Sequence, residues 1–544
     1  MDSSHTQTPL SCTVDDTMYD VVQIGYGPVG QANAAMLGQA GHSVAVFERH
    51  PSLFEFSRAG HIDHEIMRIL QSIGCADAMD EESVSPDNYD WVTADLETMI
   101  RFPWPNVSVS GWKQAYLFFQ PVLEAAIDHK VRGLPTVNVT QGWEAIAVQQ
   151  FPDHVEVTVQ PKGGGGTEQR VVRGRYLVAA DGGSSFVRQH LDLDFPSLGY
   201  KHGWLVLDFE FTAKNPMKFE FDNGQICDPQ RPTSLFEMGK HRHRFSFAAM
   251  PGETEEMLLK KDTAWDLVRQ WVTPDTAELI RQTYYVFEAR ILDDMQHGRV
   301  LFVGDSAHVM PPFLGQGLCS GMRDAINLSW KLDLVLRGHA SEALLDTYSQ
   351  ERRSHTKRYA ELSMELGKIL CMTDPVAAKK RDEDFLEGNP PKFKPFPWIE
   401  SGLIQNDPPE AAKPLVGRLG PQGVIELNGR RGRADDVLGV GWCLISRTNL
   451  WSTCRESSRH LLEDLGFRLL DIGPTGNALD VDQKYTTFLS DNGLEAILVR
   501  PDFYVFGGVE SPGDVDELLD DLRAQLQLTP RLLPSASSMG GFRR

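Results

Sequence analysis

The stretch YDVVQIGYGPVGQANAAMLGQAGHSVAVFER, residues 19–49, constrains the fold more than any other part of the chain. An apolar run leads into Gly25-x-Gly27-x-x-Gly30, and a second apolar run ends at Glu48. The three glycines allow a tight turn, a close approach of the backbone to a pyrophosphate, and close helix–strand packing. The helix N-terminus would face the phosphates, and an acid about 20 residues further on suits ribose hydroxyls. We therefore predict an α/β, Rossmann-like domain that binds FAD or NAD.

A second motif, RVLFVGDSAHVMPPFLGQGL, favours FAD over NAD. NAD alone would not require a second ligand-facing element near residue 300, whereas FAD also carries a ribityl chain and a flavin ring. Asp305 ends an apolar strand and could accept hydrogen bonds from ribityl hydroxyls. Gly315 and Gly317 would let the backbone approach the ring, and a helix beginning near Leu318 would direct its positive end toward it.

Together with VAADGGSSFVR, residues 178–188, these motifs resemble the class A, single-component flavoprotein aromatic monooxygenases over roughly residues 18–360. The subgroup of 3-(3-hydroxyphenyl)propionate hydroxylases fits best, on GLCSGMRDAINLSWKL, CDPQRPTS and a C-terminal LVRPDFYVFG. The resemblance implies hydroxylation of a small phenolic substrate by O2 through a C4a-hydroperoxyflavin, ortho to an existing hydroxyl. It implies NADH or NADPH as co-substrate and leaves the choice between them open.

The resemblance also implies which residues hold FAD. No metal site is expected, because no cysteine pair has the spacing of a zinc site. The expected cofactor-binding residues are Gly25, Gly27, Pro28, Val29, Gly30, Glu48, Arg49, Arg58, Gln120, Asp181, Gly182, Asp305, Pro312, Gly315, Gly317 and Leu318.

A phenol has a pKa near 10 and reacts better as its phenolate, so the site needs a group that accepts the phenol proton. The sequence identifies this group less clearly than it identifies the FAD-binding residues. Tyr285 and His61 are the catalytic candidates, against the alternatives of a core aromatic and a surface histidine. His308 is expected to pack the turn after the strand. Arg231 or Arg244 could bind a substrate carboxylate, although a solvated position is expected for either.

Composition shifts divide the chain into several units. The C-terminal unit resembles a thioredoxin-like domain but lacks CxxC, so it is interpreted as structural, with a homodimer contact as one role. The expected units are a flexible tail at 1–17, an FAD-binding domain at 18–200 and 291–375, a substrate-binding β-sheet domain at 201–290, a linker at 376–400 and the thioredoxin-like domain at 401–544.

The net charge of −22 argues against nucleic-acid or anionic-membrane partners, which need clustered basic residues. No apolar run reaches the ~18 residues that span a bilayer, and the seven scattered cysteines suit a reducing compartment, so a cytoplasmic enzyme is expected. Two alternatives stay open. One is another FAD-dependent oxygenase acting on a different aromatic or polyketide-like substrate, and the other is a non-catalytic flavin-binding protein.

Overall fold

A computed structural model describes residues 11–104, 106–163, 168–212, 221–474 and 476–528. Its strands are β1 (Ser11–Ile24), β2 (Val44–Glu48), β3 (His61–Asp63), β4 (Asn88–Val92), β5 (Thr98–Pro103), β6 (Ala115–Leu117), β7 (Val137–Gln141), β8 (Trp143–Gln150), β9 (Val155–Pro161), β10 (Glu168–Ala179), β11 (Ser197–Phe211), β12 (Gly224–Ile226), β13 (Thr233–Glu237), β14 (Arg242–Ala248), β15 (Ala277–Ile291), β16 (Gln296–His297), β17 (Val300–Phe302), β18 (His308–Val309), β19 (Val424–Leu427), β20 (Arg430–Arg433), β21 (Cys443–Ser446), β22 (Arg468–Asp471), β23 (Leu479–Asp480), β24 (Ala496–Val499) and β25 (Val505–Val509). Its helices are α1 (Pro28–Gln39), α2 (His64–Ser72), α3 (Ala76–Glu82), α4 (Gln120–Arg132), α5 (Phe186–His190), α6 (Glu255–Leu258), α7 (Lys261–Val268), α8 (Gly317–Leu336), α9 (Asp346–Leu370), α10 (Pro375–Leu386), α11 (Ala434–Leu438), α12 (Glu456–Asp464), α13 (Lys484–Asp491) and α14 (Val515–Leu526).

The first sheet is the predicted Rossmann-like layer. Its strands run in the order β16-β17-β10-β1-β2-β7, and β8 and β9 extend it beyond β10. Strands β17, β10, β1, β2 and β7 are parallel, which places their carboxyl ends along one edge of the sheet. Their fully buried valines and leucines form a core with α1, α4 and α8. This edge is where a doubly wound sheet binds its ligand.

The predicted loose tail at 1–17 is wrong for residues 11–17. Strand β1 begins at Ser11, and residues 11–14 pair in parallel with residues 168–171 of β10. Strand β10 begins at Glu168, and its first residues therefore supply backbone partners for this N-terminal part of β1. Residues 1–10 lie outside the described part of the chain.

The second sheet has the order β18-β15-β11-β14-β13-β12-β4-β5. The predicted segment 201–290 supplies most of it, but β4 and β5 come from residues 88–103. Strand β4 pairs in parallel with β12, so this edge of the sheet is made by chain more than a hundred residues away in sequence. The predicted boundary of the substrate domain therefore left out part of the sheet that lines the site.

The C-terminal part contains a four-stranded sheet in the order β22-β21-β24-β25. Strands β21 and β22 are parallel, whereas β24 is antiparallel to both β21 and β25. A smaller sheet, β20-β19-β23, packs beside it. The predicted linker 376–400 is partly helical, since α10 covers residues 375–386. Within the described residues, no helix is long and apolar enough to cross a bilayer.

A buried charge cluster joins the C-terminal domain to α8 and α9. Arg500 lies 2.6 Å from both Glu351 and Asp502, and Lys331 lies 2.9 Å from Glu351; all four side chains are fully buried. Burial alone would raise the pKa of Glu351, but the charges of Arg500 and Lys331 outweigh it and lower that pKa to about 2. Because an unpaired buried charge is costly, this cluster fixes the domain against the helices.

Candidate functional site

A cavity of about 1360 Å³ lies between the two large sheets. The turn from β1 to α1, the turn after β17 and aromatic residues of β4, β5 and β11 all line it. The first two elements meet because β1, β10 and β17 are neighbours in the parallel sheet. The two sequence motifs, nearly three hundred residues apart, therefore line one continuous space.

The glycine turn has the geometry that a dinucleotide needs. Gly25 has a φ of +101°, and a Cβ there would lie 2.2 Å from the carbonyl oxygen of Ala180. A Cβ on Gly30 would lie 2.6 Å from the carbonyl oxygen of Gly25, whereas one on Gly27 would meet nothing within 4 Å. Gly27 thus opens toward the cavity, as do Pro28 and the two residues after it at the start of α1.

Glu48 is the last residue of β2 and Arg49 follows it; neither lines the cavity. The Glu48 carboxylate accepts hydrogen bonds from the backbone N–H of Tyr26, at 2.8 Å, and of His50, at 2.9 Å. Glu48 therefore already holds the glycine turn, and each of its oxygens keeps a lone pair for a ribose hydroxyl.

Asp305, in the turn after β17, lines the cavity and is exposed. Enclosure by protein raises the pKa of Asp305, partly offset by the charges of His308 and Arg58. Among the described residues, no donor makes a hydrogen bond to this carboxylate. An enclosed acceptor without a protein partner fits the hydroxyls of a polyol chain.

Gln120 fixes the backbone of the loop that carries Arg58. Its side-chain oxygen accepts the backbone N–H groups of Arg58 and Ala59, both at 2.8 Å, and its amide nitrogen donates to Glu124 at 2.6 Å. Gln120 lines the cavity but has only one N–H left for a ligand. Arg58 itself is exposed to the cavity, with its guanidinium 4.6 Å from the centre of the Phe54 ring.

Asp181 and Gly182 follow β10. The Asp181 carboxylate accepts the backbone N–H of Val187 at 3.0 Å and does not line the cavity, whereas Gly182 does. Arg188 donates to the carbonyl oxygens of Ser306, at 2.7 Å, and Gly183, at 2.6 Å. This arginine ties the turn after β10 to the turn after β17.

The loop 312–318 borders the cavity and leads into α8, which begins at Gly317, one residue before the predicted start. Gly315 has a φ of +62°, and a Cβ there would lie 2.7 Å from His61 Nδ1. Pro312, Gly317 and Leu318 also line the cavity. The left-handed conformation and the close contact together require glycine at position 315.

Charged side chains beneath this loop hold it in place. Arg323 donates to Asp63 at 2.5 Å, to Glu65 at 2.6 Å and to the side-chain oxygen of Gln316 at 2.8 Å. Gln316 in turn donates to Asp63 at 3.1 Å. Burial would raise the pKa of Asp63, but the Arg323 charge outweighs it and holds that pKa well below its usual range.

His61 and Tyr285, the two predicted catalytic residues, both line the cavity but at different places. His61 Nδ1 lies 3.4 Å from the carbonyl oxygen of Gly315, and burial lowers the pKa of its imidazole. Burial raises the pKa of Tyr285, whose hydroxyl also feels the charges of Asp305 and Arg58. In the described part of the chain, no hydrogen bond or ring contact joins His61 to Tyr285.

Sequence reasoning missed an aromatic group beside His61. The Trp104 ring lies 5.8 Å from the His61 ring and stacks on Tyr89 at 5.3 Å. The Tyr89 hydroxyl accepts a hydrogen bond from Gln225 at 2.7 Å and is also hydrogen-bonded to the Ser234 side chain. Burial raises the pKa of Tyr89 to about 12. The alternation of aromatics in NYDWV indicates a strand, but nothing in the sequence indicates that it joins the distant sheet.

Arg231 and Arg244 are both paired within the protein. Arg231 contacts Glu253 at 2.5 Å. Arg244 is buried rather than solvated as predicted; it pairs with Asp208 at 2.7 Å and donates to the backbone of the 57–58 loop. His308 Nε2 lies 2.6 Å from Asp324, in keeping with a packing role.

Comparison with known proteins identifies the family. The model of the FAD binding domain family matches residues 18–363. The chain belongs to the class A FAD-dependent aromatic monooxygenases. This monooxygenase is 34% identical over 529 residues to "Probable NADH-specific resorcinol 4-hydroxylase" of Rhodococcus jostii (strain RHA1), covering 95% of this chain and 97% of that protein. It is 32% identical over 543 residues to the 3-(3-hydroxy-phenyl)propionate/3-hydroxycinnamic acid hydroxylase of Escherichia coli (strain K12), covering 93% and 94%.

Solved structures share the fold of the monooxygenase. Aklavinone-11 hydroxylase in complex with FAD and aklavinone superimposes with a TM-score of 0.77 at 22% identity, covering 94% of this chain and 99% of that chain. The flavin-dependent monooxygenase PieE gives a TM-score of 0.76 at 20% identity, covering 94% and 100%. A second family model, the HcaD C-terminal domain, matches residues 417–525 of the monooxygenase.

The monooxygenase is an NAD(P)H-dependent flavoprotein aromatic hydroxylase with FAD as its cofactor. Two observations indicate that the residues lining the cavity can hold FAD. The open face of Gly27 leaves room for a pyrophosphate, and the unpartnered Asp305 carboxylate offers an acceptor for ribityl hydroxyls further along the same cavity.

Proposed function

We propose that the protein hydroxylates a small phenol carrying a second substituent meta to its hydroxyl, at a ring position adjacent to that hydroxyl, and that NADH is the reductant. The overall reaction would be phenol, O2, NADH and a proton giving the dihydroxylated ring, NAD⁺ and water. The observation that carries the proposal is the single cavity that joins the nucleotide-binding turn to the aromatic chamber around His61, Tyr89 and Trp104.

The activities for which the relatives are named support the substrate class. Resorcinol and 3-(3-hydroxyphenyl)propionate are both phenols with a substituent meta to the hydroxyl. Position 4 of resorcinol, named for the Rhodococcus protein, is adjacent to a carbon that carries a hydroxyl. The coenzyme named there is NADH, which supports the same choice for this chain.

We assign the sixteen residues predicted from sequence to FAD, most of them along the cavity. The glycine turn and the start of α1 would hold the pyrophosphate, and Asp305 and Arg58 would hold the ribityl region. The loop 312–318 would border the flavin ring. When bound, FAD would take a hydride from the nicotinamide and activate O2 for transfer of one oxygen atom to the substrate ring.

His61 is the better candidate of the two for accepting the phenol proton. Burial lowers the pKa of His61, so its imidazole is neutral near pH 7 and can take up a proton. Burial raises the pKa of Tyr285, which keeps that hydroxyl protonated. Tyr285 also lies near Asp305 and Arg58, on the proposed ribityl side. Tyr89, which lines the cavity, would instead hydrogen-bond to a substrate oxygen.

The aromatic walls would keep water from the reacting atoms. Trp91 and Trp204 are each only 2% exposed, and the Trp204 ring contacts Phe313 with ring centres 5.9 Å apart. Exclusion of water matters because activated oxygen that meets water instead of the substrate ring is lost as hydrogen peroxide.

We also propose that the C-terminal domain is thioredoxin-like. The strand order β22-β21-β24-β25, with one parallel and two antiparallel pairings, and helices α12, α13 and α14 between and after the strands support this assignment. Cys443 and Cys454 are too far apart in sequence for a CxxC pair, and burial raises the pKa of both thiols. A structural role fits better than disulfide exchange. The homodimer stays a prediction.

The test is oxidation of NADH and of NADPH by the FAD-loaded protein with resorcinol, 3-(3-hydroxyphenyl)propionate and phenol, with product masses recorded. The expected result is a stimulation by a meta-substituted phenol, a product one oxygen atom heavier, and a preference for NADH. If only larger polycyclic phenols stimulated NADH oxidation, the proposed class of small meta-substituted phenols would be wrong. Oxidation that no phenol stimulates would contradict the proposal.

A further inference from the structure

The C-terminal domain makes specific contacts with α2, a helix of the FAD-binding domain. Arg68 of α2 donates to Asp435 at 2.6 and 3.0 Å and to the carbonyl oxygen of Gly420 at 2.7 Å. Gln71, one turn further on, donates to Asp436 at 2.7 Å. These contacts fix the C-terminal half of α2 to the C-terminal domain.

The first turn of α2 makes a different contact. The Tyr504 hydroxyl, on the residue just before β25, donates to Glu65 at 2.7 Å. Tyr504 is 4% exposed and borders the same cavity as the loop 312–318. It therefore brings a polar group of the C-terminal domain to the edge of the candidate active site.

Glu65 also connects Tyr504 to the loop 312–318 through further hydrogen bonds. Its second oxygen accepts from Arg323 at 2.6 Å, and Arg323 donates to the side-chain oxygen of Gln316 at 2.8 Å. Asp63, the N-cap of α2, accepts from both Arg323 and Gln316. Gln316 lies between Gly315 and Gly317, so the chain Tyr504–Glu65–Arg323–Gln316 ends in the backbone segment next to the proposed flavin ring.

We infer that Tyr504 is a positioning residue for the flavin-binding loop, and that the C-terminal domain sets the geometry of the ring site through the Tyr504–Glu65 hydrogen bond. Without the hydroxyl, the Glu65 carboxylate would lose one of its two side-chain hydrogen-bond donors, and its contact with Arg323 would be less firmly oriented. Because the hydrogen bonds of a buried network support one another, the position of the Gln316 side chain would also become less well defined. The inference rests on the proposed placement of the ring against the loop 312–318.

The test compares Tyr504→Phe with Tyr485→Phe in the full-length protein. Tyr485 is also buried in the C-terminal domain, but its hydroxyl is hydrogen-bonded to the backbone of Gly423 within that domain. The readouts are the FAD dissociation constant and the visible circular dichroism of the bound flavin, neither of which needs a substrate. We expect Y504F to weaken FAD binding roughly fivefold or more and to alter the flavin bands, as for loss of a hydrogen bond to a charged group. Y485F should leave both unchanged.

Two further variants separate the ways in which the test can fail. If Y504F does not fold, Glu65→Gln, which leaves the packing of the C-terminal domain in place, should produce the same change in the flavin bands. If Asp305→Asn weakens FAD binding while Y504F and E65Q leave both readouts unchanged, the positioning role is overturned and the site assignment stands. If none of the three variants affects FAD binding, the proposed cofactor site itself fails.

Discussion

The Nδ1 atom of His61 lies 3.4 Å from the carbonyl oxygen of Gly315. This relationship puts the candidate base on the loop proposed to border the flavin ring, and it explains why position 315 has no room for a Cβ. It also keeps His61 enclosed, which lowers the pKa of the imidazole.

Replacement of His61 by Gln should remove the base. General bases contribute typically 10²–10⁴-fold, so we expect the kcat/KM for the phenol to fall about 100-fold or more. In the wild-type protein, kcat/KM should stay level through the ordinary histidine range and decline only at more acidic pH, because burial lowers the pKa of His61. The pH–rate profile of H61Q should lack this decline. An unchanged profile would show that another group accepts the proton.

Replacement of Asp305 by Asn should weaken FAD binding. Loss of hydrogen bonds to a charged group costs about 1.5–3 kcal/mol, which corresponds to about a tenfold or larger rise in the FAD dissociation constant. Fluorescence titration of the apoprotein with FAD measures it. Asp293→Asn is a matched control, since the Asp293 side chain is 79% exposed and pairs with Arg353 at the surface. Equal affinities of the two variants would exclude Asp305 from the cofactor site.

Replacement of Tyr89 by Phe should weaken substrate binding without changing FAD binding. We expect the KM for the phenol to rise roughly threefold to tenfold, the effect of one neutral hydrogen bond, with the FAD content unchanged. Because the pKa of Tyr89 is raised to about 12, the difference between the wild-type protein and Y89F should be constant from pH 6 to 9. Steady-state kinetics over that range checks both points, and a KM equal to that of the wild type would place the substrate elsewhere.

Replacement of Arg500 by Met should destabilise the protein strongly. It leaves Glu351 and Asp502 buried with one partner fewer, a change that costs about 3–5 kcal/mol. The loss in melting temperature should be several times that of Lys380→Met, which removes only an exposed, solvent-screened pair with Asp384. Similar shifts for both variants would mean that the buried cluster does not hold the domain.

The same cluster predicts how stability depends on pH. The pKa of Glu351 is lowered from 4.5 to about 2 in the folded protein. The stabilisation from this group is therefore complete above pH 4.5 and is lost as the pH falls toward 2. Melting temperatures measured between pH 3 and 7 should show a smaller acid-induced loss in Glu351→Gln than in the wild-type protein.

The sequence by itself determined the proposed nucleotide-binding half of the site. The glycines at 25, 27 and 30 and the acids at 48 and 305 belong to local strand–turn–helix patterns, whose geometry follows from a few neighbouring residues. The parallel sheet then brings the two turns to one edge, because strands that share a direction end on the same side.

Only the tertiary structure decided the aromatic chamber and the role of the C-terminal domain. The pairing of β4 with β12 places Tyr89 in the second sheet, where it stacks on Trp104 beside His61. Tyr504 contacts Glu65 across 439 positions of sequence. Strand pairing and side-chain contacts over such separations depend on how whole domains pack, and no local propensity encodes them. Arg244 shows the same limit: its sequence context suggests a solvated side chain, but Asp208 on the neighbouring strand pairs with it in the interior.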